Sequence, residues 1–226
     1  MAITYQSVGT LSYTNTNAPV ITKPTGLASG DLMVAVLHQK NGSGRTCTRT
    51  GWTAIDSMNL DATTGDVAWT LYKVADSTDA AASNFTFTLS GTENTAGAIF
   101  RISGQATSSI INGHAYGEDG SNRSNHSVSA TVTPTVANCL IILATFNSNN
   151  VTTSSYAINT DSPTFTQAFD VGSAGAARSF SGAYGNRPQT TATGGISFTT
   201  SSSGFDSATI IAIAPLASTQ GVLLGF

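Results

Sequence analysis

The apolar positions of this 226-residue chain fall at period two or in short solid blocks, not at helical spacing. Phe85-Thr86-Phe87-Thr88-Leu89 alternates and predicts a half-buried strand. Residues 32–37 are all apolar, bounded by Ser29-Gly30-Asp31 and by a polar loop from Gln39 to Gly44. Residues 140–143 and 209–214 form similar blocks. A solid block predicts a strand covered on both faces. Val, Ile, Phe and Thr dominate these segments and suit a pleated surface. Clusters of Gly, Asn, Asp and Ser separate them at roughly 10–15 residues, a spacing that predicts a sandwich or barrel. Asp79-Ala80-Ala81-Ala82 alone tolerates a helix, and reads as a turn between strands.

The same landmarks occur twice in the same order. Pro24 precedes the block that starts Gly30-Asp31-Leu32-Met33-Val34. Trp52-Thr53, Leu71-Tyr72, Phe85-Thr86-Phe87-Thr88 and Ala98-Ile99-Phe100-Arg101-Ile102 follow. In the second half Pro134 precedes Asn138-Cys139-Leu140-Ile141-Ile142. Phe165-Thr166, Ala183-Tyr184, Ile196-Ser197-Phe198-Thr199 and Thr209-Ile210-Ile211-Ala212-Ile213 then follow. The offset stays at about 110 residues, as expected of a duplicated unit. The predicted fold class is therefore all-β: two tandem jelly-roll-like antiparallel sandwiches, residues 1–106 and 107–218, packed as a pseudo-two-fold pair. Gly104 to about Gly120 reads as the linker. Residues 219–226 read as a separate apolar tail in which Val222, Leu223, Leu224 and Phe226 need a home. That home is either the chain's own sandwich or a neighbouring subunit or host particle, where these four side chains would be the partner-docking residues.

Composition narrows the function. Charged residues are 9% of the chain, against roughly 25% in ordinary soluble domains. The polar positions are filled by 28 Ser and 35 Thr. Nine basic residues against twelve acidic ones leave no cationic footprint for nucleic acid. No apolar run approaches the ~18 residues of a membrane span. The first residues, Met1-Ala2-Ile3-Thr4-Tyr5, carry no basic or apolar leader pattern, which predicts synthesis in a cytoplasm. Cys47 and Cys139 read as two free thiols.

Candidate chemistry is sparse. His38, His114 and His126 lack zinc-ligand spacing and read as polar loop residues. The acids lie scattered, mostly in predicted loops: Asp56, Asp61, Asp66, Asp76 and Asp79. A glycosidase would need two of them face to face. Glu118 and Asp119 with Asn122, or Asp61 with Asp66, are the oxygen-rich places where calcium would be sought, but neither matches a calcium-loop signature. No nucleophile elbow, phosphate loop or dinucleotide fingerprint is present. No catalytic residue, metal ligand or cofactor is expected. Trp52 and Trp69 read as core, Trp69 sharing a face with Val67 and Leu71. Tyr116 and Tyr156, placed in predicted loops, are the glycan-contact candidates.

The texts Gly30-Asp31-Leu32-Met33-Val34-Ala35, Gly51-Trp52-Thr53, Leu71-Tyr72-Lys73-Val74-Ala75, Phe85-Thr86-Phe87-Thr88 and Arg101-Ile102-Ser103-Gly104 resemble a type of virion accessory protein found in tailed-bacteriophage structural modules. In the second half the signature is degraded: Gly30-Asp31 becomes Asn138-Cys139 and Trp52 becomes Phe165. The resemblance implies paired jelly-roll-type sandwiches that decorate heads or serve as head fibres or tail-associated parts. It implies a non-enzymatic structural protein that most often stabilises a capsid surface, or alternatively binds a glycan or receptor. The implied location is the virion. The implied partners are the major capsid or tail protein, further copies of the chain on the particle and, in the alternative, a host surface glycan. It supplies no catalytic residue.

Overall fold

A computed structural model describes residues 2–60 and 65–217. Two antiparallel sheets, one from each half of the sequence, carry the fold. In chain order, the first half contributes β1 (Thr4–Thr16), β2 (Val20–Thr22), β3 (Leu32–Gln39), β4 (Cys47–Thr48), β5 (Thr53–Leu60), β6 (Asp66–Val74), β7 (Asn84–Thr86), β8 (Thr88–Leu89) and β9 (Glu93–Ser103). The second half contributes β10 (Ile111–Val128), β11 (Cys139–Asn147), β12 (Thr153–Ile158), β13 (Thr166–Ser173), β14 (Arg178–Arg187) and β15 (Ile196–Ile213). The first sheet runs β1-β9-β3-β6-β5 and the second β10-β15-β11-β14-β13.

The two orders match strand for strand, and so do details of register. Val34 lies opposite Tyr72 and Phe100; Ile142 lies opposite Tyr184 and Ile211. Thr53 pairs with Tyr72 and Thr166 with Tyr184. Each of these edge strands then bulges two residues on, at Ile55 and at Ala168. The opposite edges bulge alike, between Tyr5 and Ser7 and between Ile111 and Gly113. An outer layer covers each sheet: β2 with β7 and β4 with β8 on the first, and the far ends of β10 and β15 with β12 on the second.

The solid apolar blocks have a direct physical cause. Side chains alternate across a strand, so Leu32, Val34 and Val36 face the second sheet while Met33, Ala35 and Leu37 face the outer layer. In β11 the split is Leu140, Ile142, Ala144 and Phe146 against Cys139, Ile141 and Leu143. The result is one central core shared by both sheets and two peripheral cores, one per half. Trp69, Val67 and Leu71 share the first peripheral core, and Trp52 packs edge-on against Phe85 and Phe87.

Three local expectations are corrected. Residues 77–81 form one helical turn, because Asp76 and Asp79 cap each other's backbone in a reciprocal box. The expected linker is shorter than Gly104–Gly120, since β10 begins at Ile111 and pairs along β15 despite its Gly-rich, polar text. His114 and His126 therefore sit in a strand, not beside a loop.

Candidate functional site

At one end of the central core, where β3, β6, β11, β14 and β15 bring their polar termini together, the apolar packing gives way to a buried polar seam. His38 follows Val36 onto the inner face of the first sheet. Asp66 opens β6 on the same face. Arg178 opens β14 in the second sheet and reaches across, Nε at 2.5 Å and Nη2 at 3.3 Å from the two Asp66 oxygens. His38 Nε2 stands 3.3 Å from Asp66, and its Nδ1 meets the Tyr13 hydroxyl. Asp66 also accepts from the Asn41 backbone N–H. Burial alone would raise the Asp66 carboxyl, but hydrogen bonds and charge from His38 and Arg178 outweigh it and hold the group at about 2.

A second cluster continues the seam. His126 is buried between two buried carboxylates, Nδ1 at 3.2 Å from Asp119 and Nε2 at 2.6 Å from Asp206, with its ring stacked on Phe198. Arg123 caps Asp119 from the surface at 2.9 Å. Asn147 connects to this cluster: with its amide nitrogen turned to Asp206 at 3.0 Å, its oxygen accepts from the Ser179 and Thr153 hydroxyls. Burial raises the Asp206 carboxyl above its ordinary range, against the pull of His126. Between the clusters lies a void of about 10 Å³ bordered by His38, Asp66, Asn147 and Ser207. It has room for one water and no larger ligand. The chemistry here is internal: the buried groups are paired with one another, and the Asp66–Arg178 pair ties the two halves together.

The larger opening is at the other end of the molecule. Ala2, Ile3, Val136, Ala137, Asn138, Asn186, Pro215, Leu216 and Ala217 line an open groove of about 660 Å³. Val136 and Leu216 remain about 40% exposed there. The positive φ of Asn138 turns the chain into β11 and sets Val136 and Ala137 on the rim. Among the described residues, Asn138 and Asn186 supply the groove's side-chain polarity, and no charged side chain lines it.

The expected site residues are dispersed. Val222, Leu223, Leu224 and Phe226 lie outside the described residues, as does Asp61. Tyr116 lies on β10, exposed, on the face that also carries His114, whose ring is 3.3 Å from Asp56 of the first sheet. Tyr156 lies on β12 in the outer layer. Its hydroxyl donates to Ser181 at 2.7 Å, and burial pushes it up to about 12. The two tyrosines thus occupy strands, not loops, on opposite faces of the second sheet. They form no shared platform. Glu118 is on the exposed face of β10, whereas Asp119 is turned inward onto Arg123 and His126. Among the described residues no group of three His, Cys, Asp or Glu is placed to hold a metal ion. Cys47 and Cys139 are free.

The sequence places His126 and Asp66 in loops, whereas both lie buried on strands. The signals available were that Asp66 begins a strand whose next residues are apolar, and that His126 alternates with Val128 on one face of a strand. No family model, no curated protein and no solved structure matches this chain.

Proposed function

We propose that the chain is a non-enzymatic structural protein of a particle, a component decorating the capsid of a tailed phage. In this reading each half is a jelly-roll-like repeat, and the two are packed as a pseudo-two-fold pair. The order β1-β9-β3-β6 in one layer, with the pairs β2-β7 and β4-β8 over it, supports this reading, β5 being moved to the inner sheet beside β6. The matching order β10-β15-β11-β14 in the second half supports the same plan there. The matched bulges at Ile55 and Ala168 support descent of both halves from one unit.

The observation that carries the functional reading is where the polar chemistry goes. Tyr13, His38, Asp66 and Arg178 bond to one another inside the sandwich, with Arg178 crossing from the second half to Asp66 of the first. Asn147, Asp206, His126 and Asp119 form a second enclosed set within the second half. The first set serves cohesion between the halves and the second serves cohesion within one of them. Many copies on a symmetric particle need only modest individual contacts.

The experiment is mass spectrometry and imaging of purified particles from the cells that make this protein. The chain is expected in stoichiometric multiples of the capsid symmetry and as density on the outer surface. Its absence from particles, or its presence only in the soluble fraction, overturns the reading.

A further inference from the structure

Besides the Asp66–Arg178 pair, the two halves meet through a pair of tyrosines. Tyr5 of β1 and Tyr184 of β14 lie ring on ring, centroids 3.9 Å apart and planes 18° from parallel. Both rings are half-buried and pack against the central core. Phe100 stands edge-on to Tyr5 at 6.3 Å, and Tyr184 is flanked by Ile142 and Thr166 on the neighbouring strands. Each ring is therefore held by its own sheet, and the stack is a contact between sheets. Among the described residues no other two tyrosines stack.

We propose that Tyr5 and Tyr184 form a site of oxidative cross-linking, at which a one-electron oxidant joins the two halves by a carbon–carbon bond between the rings. A phenol that loses one electron releases its hydroxyl proton to water and becomes a neutral phenoxyl radical. The unpaired electron then occupies a π orbital that projects from the ring plane, with density on the oxygen and on the ortho carbons. Two such radicals couple face to face, so a near-parallel stack is already the geometry of approach. Coupling at one ortho carbon of each ring forms the bond. Each of these carbons then loses its proton while the oxygen of the same ring takes one up, which restores both aromatic rings. In sum two electrons and two protons leave the pair. Hydrogen peroxide acting through a peroxidase-type catalyst accepts both and is reduced to water. Burial, and then the neighbouring Tyr184 phenol, raise the Tyr5 phenol above its ordinary value, so at neutral pH its proton leaves only with the electron. The product is a covalent tie between β1 and β14 that adds to the Asp66–Arg178 pair. The inference is independent of the particle reading.

The test is photo-oxidation of the full chain in dilute solution with a ruthenium tris-bipyridyl sensitiser and persulfate, which takes up the electrons and leaves as sulfate. Peptide mass spectrometry is expected to find the Tyr5 and Tyr184 peptides joined and lighter by two hydrogens, in monomeric protein, with a yield independent of protein concentration. Tyr5→Phe and Tyr184→Phe each keep a ring in the stack but remove one phenol, and each is expected to lose the link. Unfolding the parent protein in urea before irradiation is expected to remove the preference for this pair. Oxidation of Tyr5 or Tyr184 to other products without the link overturns the proposal. So does consumption of the exposed Tyr116 while both stacked rings stay intact, or tyrosine links formed only between copies. An equal yield of the link from the urea-unfolded chain overturns it too, since the stack would then play no part.

Discussion

Asp66 and Arg178 hold the same place in their respective sheets, each opening the strand next to the bulged edge strand, and they pair with each other at 2.5 Å. One neighbouring pair behaves likewise: His38 and Phe146 are matching positions of β3 and β11, and their rings lie 5.4 Å apart. At such a contact identical residues would oppose like with like: two aspartates or two arginines here would bury like charges, whereas Asp66 and Arg178 pair.

Removing one partner should therefore be costly. Arg178→Met leaves the Asp66 carboxylate buried without its guanidinium partner, and a loss of about 3–5 kcal/mol is expected. Asp66→Asn should act through acid stability too. The Asp66 carboxyl is held at about 2 against an ordinary 3.8, so its contribution is present above pH 3.8 and disappears as pH falls towards 2. The acid limb of the stability profile over that window should flatten in Asp66→Asn. Denaturant midpoints measured from pH 5 to pH 1.5 check this; an unchanged acid limb would show that the pair does not couple to folding.

The central core should be intolerant where the sheets approach most closely. A Cβ at Gly182 would stand 2.5 Å from Phe169 and 2.8 Å from Phe100 of the opposite sheet. Gly182→Ala is expected to destabilise by about 1–3 kcal/mol through forced repacking of these rings. Gly120→Ala, where a Cβ meets nothing within 4 Å, should stay within about 0.5 kcal/mol. Urea titrations of the two variants give the comparison, and equal small effects would mean the sheets separate easily.

How far the sequence foretold this arrangement depends on the range of the interactions involved. The blocks at 32–37 and 140–143 were legible because a strand buried on both faces leaves no polar position. Trp69 with Val67 and Leu71 was legible for a related reason, alternation. The seam was not. Asp66 and Arg178 are 112 residues apart and neither lies in a motif, so only the packing of one sheet on the other joins them. The polar text of β10 hid an 18-residue strand, because backbone pairing with β15 and not side-chain burial holds it. Tyr156 was misplaced because Ser154 and Ser155 beside it read as a loop, whereas β12 pairs with β15.

The two thiols should be inert in the folded protein. Burial pushes Cys47 up to about 12 and Cys139 up to about 11, the latter despite Arg187. A disulfide reagent at pH 8 should therefore find almost no thiolate until the chain unfolds, and then two equivalents. Rapid labelling of either cysteine under native conditions would show that its peripheral core opens locally.

Alkaline stability tests the buried hydroxyls. Burial raises Tyr156 to about 12, and burial together with the Asp66 charge raises Tyr13 well above 10. A tyrosine raised in the folded state holds its proton when the unfolded chain has lost it, so folding is favoured fully below pH 10 and progressively less as pH rises towards 12. The stability profile should therefore fall through this window. Tyr156→Phe should lose the Ser181 hydrogen bond, at about 1 kcal/mol near neutrality, and should also remove part of the alkaline slope. Tyr13→Phe deprives His38 Nδ1 of its partner and should do the same while weakening the seam. Unfolding midpoints at pH 8, 10 and 11.5 separate the two effects. A Tyr156→Phe slope identical to that of the parent protein would mean the hydroxyl reaches solvent, and the outer layer at β12 would then be open.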